Sequence, residues 1–168
     1  MNSTLLVNIF RFIFLLAVQI LIFNNMTFLG FVLPMPYILF IILYPVNGNK
    51  SGLLISSFLL GIIMDLFSNS GGIHAASCLV LAYYRPYIFK FSFGVSYEYQ
   101  TIKLNDVLTP ERFSFILLSV IIHHFTLFTL EAFQISFFLD ILIRALLSTV
   151  FTVISCIIII YLIKPTKR

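Results

Sequence analysis

Residues 52–89 read GLLISSFLLGIIMDLFSNSGGIHAASCLVLAYYRPYIF, two apolar runs at 52–67 and 72–89 on either side of a short Ser/Asn/Gly turn. Each run approaches the roughly 20 residues that an α-helix needs to cross the hydrocarbon core of a bilayer. Neither alternates apolar and polar residues as a membrane β-strand would, so the stretch reads as a helical hairpin.

The rest of the chain has the same character. Of its 168 residues, 61% are hydrophobic and only 10% are charged, where a soluble domain averages about 25% charged. The mean hydropathy is +1.10. Further runs are expected to span at 12–28, 29–46, 110–130 and 137–163, giving an all-α polytopic membrane protein of six transmembrane helices. Six spans leave no room for a soluble domain, so residues 1–168 form a single integral membrane domain. Arg11 precedes FIFLLAVQILIF with no small-residue cleavage site after it, so this run reads as an uncleaved first span.

The net charge of +4 is scattered over short loops and forms no nucleic-acid patch. It reports topology instead. With the N-terminus inside, Lys50, Arg85, Lys90, Lys103, Arg112, Lys164, Lys167 and Arg168 all fall in cytoplasmic segments and Arg11 at the inner edge of the first span. Both termini are then cytoplasmic. Tyr44, Tyr83, Tyr84, Tyr87 and Tyr161 would mark the inner interface and Tyr37 the outer one. Pro34 and Pro36 start the second span. The longest loop, 85–112, is cytoplasmic and mixes aromatics with both signs of charge, as a segment lying on the membrane surface or against a partner would. Thr109, Pro110 and Glu111 make a helix start: a hydroxyl cap, a proline in the first turn and an acid near the positive end of the dipole.

Ionisable residues at membrane depth are costly, so each needs a partner or a role. Asp65 and His74 flank the turn that holds Gly71 and Gly72. Ser57, Gly61 and Asp65 recur every four residues, and Gly72 and Ala76 repeat the spacing in the next span, so these two helices can approach closely. In the last span Asp140, Arg144, Ser148, Thr152 and Cys156 form a polar stripe that should face protein or water. Arg144 has two candidate partners: Asp140 one turn away, and Asp65 at a similar depth, which would tie the third span to the sixth. His123 and His124 are adjacent and so point about 100° apart. One is expected to face the bundle and the other a partner or headgroup, with His74 near the outer end, and no metal or other cofactor is expected. Cys78 and Cys156 have no C-x-x-C spacing and read as small buried hydrophobes. No nucleophile elbow, intramembrane protease motif or phosphate loop appears.

The chain resembles the rod shape-determining protein MreD family over most of its length. The resemblance is carried by Gly61, an apolar run, Asp65, the Ser-rich turn with Ser68 and Ser70, then Gly71, Gly72, Ala75 and Ala76, and by the proline-led start of the second span from Pro36 to Leu43. It implies a non-enzymatic component of the bacterial elongation machinery, in the cytoplasmic (inner) membrane, that binds the rod protein MreC. The SEDS glycosyltransferase, a class B penicillin-binding transpeptidase and, indirectly, MreB would be further partners, and the job would be to help position lateral peptidoglycan synthesis. It also implies a fold similar to the six-helix substrate-binding subunit of energy-coupling factor transporters. Such a vitamin-uptake subunit is the rival reading, although the first span has only Ala17 where those subunits resemble one another in an Ala-x-x-x-Ala pair. A membrane enzyme built on Asp65, His123 and His124 is a second rival. The 85–112 loop is longer than the family pattern suggests.

Overall fold

A computed structural model describes residues 3–26, 30, 32–94, 108–132 and 138–163, and every regular element among them is helical. Five long helices, α1 (Ser3–Leu21), α3 (Lys50–Ser68), α4 (Ile73–Phe93), α5 (Pro110–Ala132) and α6 (Phe138–Ile163), accompany the four-residue helix α2 (Leu39–Ile42). Four helical stretches are long and apolar enough to cross a membrane: Leu5–Asn25, Lys50–Ser68, Pro110–Ala132 and Leu142–Ile163. α4 has the length, 21 residues, but His74, Arg85 and Lys90 keep it out of that set. α3, α4, α5 and α6 each pack along the next in chain order.

Local chemistry sets the helix ends. The Asn49 side chain accepts from the Ser51 N–H at 2.9 Å and caps α3. α3 stops at Asn69 in the left-handed region, φ 52°. Gly71 and Gly72 then continue at φ 65° and 101°, which side chains with a Cβ resist. Thr109 Oγ1 accepts from the Arg112 N–H at the start of α5, where the sequence places the helix start.

The expected second span is the main departure. Its described part is irregular from Leu33 to Met35, passes through a 3₁₀ turn at Pro36–Ile38, and holds only α2 before a turn at Leu43 and Tyr44. Every residue from Met35 to Leu43 is buried. The segment threads the bundle interior against α1, α3, α4 and α6. Broken backbone at membrane depth is tolerated where protein surrounds it and its polar groups find partners. An apolar run gave no sign of this, because hydropathy cannot separate a lipid-facing helix from a core-buried strap. Tyr37, expected at the outer interface, is therefore fully buried. α4 also runs on to Phe93, so Arg85, expected in a cytoplasmic segment, lies inside the bundle at 5% exposure. The expected surface loop, 85–112, is thereby shortened from both ends, by α4 up to Phe93 and by α5 from Pro110, and residues 95–107 lie outside the described residues.

Candidate functional site

The buried strap carries backbone groups that no regular helix satisfies, and four side chains from three surrounding helices, α1, α4 and α6, supply their partners. Gln19 on α1 donates to the Pro34 carbonyl at 3.2 Å and accepts from the Tyr37 N–H at 3.4 Å. Thr152 on α6 accepts from the Met35 N–H at 3.0 Å. At the other end Arg11 donates to the Leu43 carbonyl at 2.7 Å. Arg85 donates to the carbonyls of Ile42, at 3.2 Å, and Tyr44. An unpaired buried backbone group costs free energy comparable to a lost hydrogen bond, so these four side chains make the broken segment tolerable. Gln19 and Arg11 are eight residues apart on α1, about 12 Å along the axis, so they grip opposite ends of the strap.

Tyr37 is the hub of a polar network at the middle of the bundle. Its hydroxyl lies 2.8 Å from His74 Nδ1 and 2.9 Å from His123 Nε2. His123 Nδ1 is 3.5 Å from His124 Nδ1, which is 3.1 Å from the Val120 carbonyl, and His124 Nε2 is 3.1 Å from Thr152 Oγ1. One neutral arrangement satisfies every link except the 3.5 Å contact between the two histidines. His124 Nδ1–H donates to Val120 and Nε2 accepts from the Thr152 hydroxyl, whose oxygen accepts from Met35. His123 Nε2–H donates to Tyr37, and Tyr37 O–H donates to His74 Nδ1. His74 then has Nε2–H as its remaining polar atom.

Both His123 and His124 are fully buried. This corrects the expectation that one would leave the bundle. His124 faces α6 and His123 faces the strap, so a 100° separation still leaves both inside because neighbours enclose α5 on two sides. His74 is brought to His123 through the tyrosine, with no helix bend, which the sequence reading could not foresee without knowing that Tyr37 is internal. Cys78 adds its sulfur 4.0 Å from His123 Nε2.

Asp65 is occupied by the helix that follows it. One carboxylate oxygen accepts from Ser70 Oγ at 2.5 Å and from the His74 N–H at 2.9 Å, and the other from the Ala75 N–H at 2.9 Å. The carboxylate therefore caps the first turn of α4 from the neighbouring helix, where N–H groups lack intrahelical partners and the dipole favours negative charge. Gly71 and Gly72 shape the turn that brings α4 back, a conformational role more than a packing one. Packing falls to Gly61: a Cβ there would overlap the backbone of Ala75 and the carbonyl of His74.

A cavity of about 560 Å³ opens at this end of the bundle, lined among others by Gln19, Asn24, Ser70, His74, Glu131 and Arg144. Arg144 is exposed at its edge, while Ser148, Thr152 and Cys156 from the same stripe are buried. Asp65, expected as one of two partners for Arg144, is instead satisfied by α4 and Ser70. The side chain of Asp140, the other, lies outside the described residues. Sequence reasoning missed Tyr37, Gln19 and Arg85 as core residues, and half-buried Arg11 as a partner of the strap. The usable signal was Gln19 and Arg11 on one helix at eight-residue spacing, a polar pair on one face of an otherwise apolar span. No protein-family model, curated protein or solved structure matches this chain.

Proposed function

We propose that the chain is a non-enzymatic membrane component of the bacterial cell-elongation machinery, of the kind its resemblance to the MreD family implies. In this reading it crosses the inner membrane six times, counting the buried strap and α4 as passages, with both termini cytoplasmic. It binds an MreC-like rod protein and helps a SEDS glycosyltransferase and a class B transpeptidase act along the lateral wall.

What supports the reading is the use made of Asp65. In the motif that carries the resemblance, the carboxylate is tied by three hydrogen bonds to Ser70 and the first turn of α4, and Gly61 closes α3 onto Ala75. These residues build a rigid hairpin. A carboxylate held by three donors is a poor general base, so the motif serves shape and not reaction.

Depleting the protein is expected to round rod-shaped cells, and the tagged protein is expected to carry an MreC-like partner through purification from membranes. The 560 Å³ cavity favours one other reading, a vitamin-uptake subunit, since it falls in the size range of small-molecule sites. Normal cell shape with loss of vitamin uptake would select that reading and sink the first.

A further inference from the structure

At the end of the bundle away from the Asp65 turn, α3 and α4 line a cleft of about 370 Å³. Its floor is apolar, Leu53 and Ala82, and the phenol ring of Tyr87 forms a wall. Lys50, in the first turn of α3, and Lys90, in the last turn of α4, stand over it from opposite sides, and both are exposed. Pro86 also lines the cleft. Having no N–H, it leaves the carbonyl of Ala82 without its helical donor.

A second depression of about 220 Å³ shares Lys50, Leu53 and Pro86 with this cleft and reaches Arg85. The Arg85 guanidinium is buried at 5% exposure, and its bonds go to two neutral carbonyls. Its Nε has no hydrogen-bond partner. Among the described residues no carboxylate touches it. A buried cation without a counter-charge is unfavourable, and an anion brought close lowers that cost.

Two lysines on two helices therefore line an apolar trough at one end of a membrane-type bundle, and buried Arg85 lines the depression that adjoins it. We propose that the cleft between α3 and α4 binds the anionic headgroup of a phospholipid, with the phosphate between Lys50 and Lys90 and an acyl chain along Leu53 and Ala82. The positive dipole end at the α3 N-terminus adds to the attraction. Lysines are suited to this as point charges that meet a headgroup from several directions. The trough selects an amphiphile over free phosphate, because phosphate alone would leave the apolar floor exposed.

The test is native mass spectrometry of the purified full chain, titrated in detergent with phosphatidylglycerol or phosphatidylcholine. The wild type is expected to bind phosphatidylglycerol more tightly. A lysine at a membrane surface contributes roughly a fivefold effect on anionic-lipid binding, so K50Q/K90Q should weaken phosphatidylglycerol about thirtyfold. Phosphatidylcholine binding should not change, and K50R/K90R should keep most of the preference. If the double variant does not fold, K90Q alone carries the test at roughly fivefold. Excess inorganic phosphate should leave phosphatidylglycerol bound, and displacement by it would overturn the lipid assignment in favour of a simple anion. R144Q, at the opposite end of the bundle, should have no effect. Equal losses in R144Q and K50Q/K90Q, or no loss in K50Q/K90Q, would overturn the site.

Discussion

Asp65 and Tyr37 show how much a single polar atom carries in an apolar interior. D65N preserves the size of the side chain but replaces one acceptor oxygen with an NH₂ group, which faces donors on every side. One of the N–H groups of His74 or Ala75, or the Ser70 hydroxyl, then loses its acceptor. Leaving a buried polar group unsatisfied costs about 1–3 kcal/mol, and more where the lost partner was charged. D65N is therefore expected to melt at lower temperature in detergent, and an unchanged melting curve would show that α4 does not depend on this cap. Y37F removes one oxygen that serves both His74 and His123. Because both rings are buried and His123 Nε2 keeps only the weak Cys78 sulfur contact at 4.0 Å, the expected loss is again about 1–3 kcal/mol, on the larger side if the two vacancies do not repack. Circular dichroism melts of the two variants side by side would rank them. Sequence reading identified Asp65 as a residue that must have a partner, because charge in an apolar run is conspicuous. Tyr37 it misplaced, because one tyrosine after two prolines looks the same at an interface as in a core.

For elements, the strap from Val32 to Tyr44 is the instructive case. α3, α5 and α6 could be placed from the sequence because their apolar runs are long, and at α5 Thr109 and Pro110 also mark the start. The hairpin of α3 and α4 was legible for the same reason, and Gly61 lies where its small-residue spacing put the close approach. The strap was not legible, since its structure depends on partners far away in sequence: Arg11, Gln19, Arg85 and Thr152. Those partners define a prediction. R85M keeps the length and apolar stem of the side chain but leaves the carbonyls of Ile42 and Tyr44 without a donor. It also removes the guanidinium that lies 5.9 Å from the rings of Phe89 and Phe115. Hydrogen exchange read by mass spectrometry should show the 37–43 amides of the wild type protected like the interior of α5, and those of R85M exchanging markedly faster. If R85M leaves them protected, packing alone holds the strap and the arginine is dispensable.

The whole molecule can be oriented with α3 as the reference. α3 has 19 residues, about 29 Å at 1.5 Å per residue, which matches the hydrocarbon thickness. The turns at its two ends should then emerge on opposite sides of the membrane. Asn47 and Ser68, one before and one after α3, are both exposed, so N47C and S68C place a thiol at each end without disturbing the core. Background is low because the two native cysteines, Cys78 and Cys156, are fully buried. The basic residues Arg11, Lys50, Arg85 and Lys90 gather at the Asn47 end, and positive charge favours the cytoplasmic side. In intact cells a membrane-impermeant maleimide should therefore label S68C, and N47C only after permeabilisation. Labelling of both from outside would remove α3 as a membrane crossing. The reverse pattern would keep α3 as a crossing but invert the bundle, turning the cavity beside His74 toward the cytoplasm and the lysine cleft toward the outer leaflet. The expected pattern turns the cavity outward, with exposed Arg144 at its edge and His74 buried inside it.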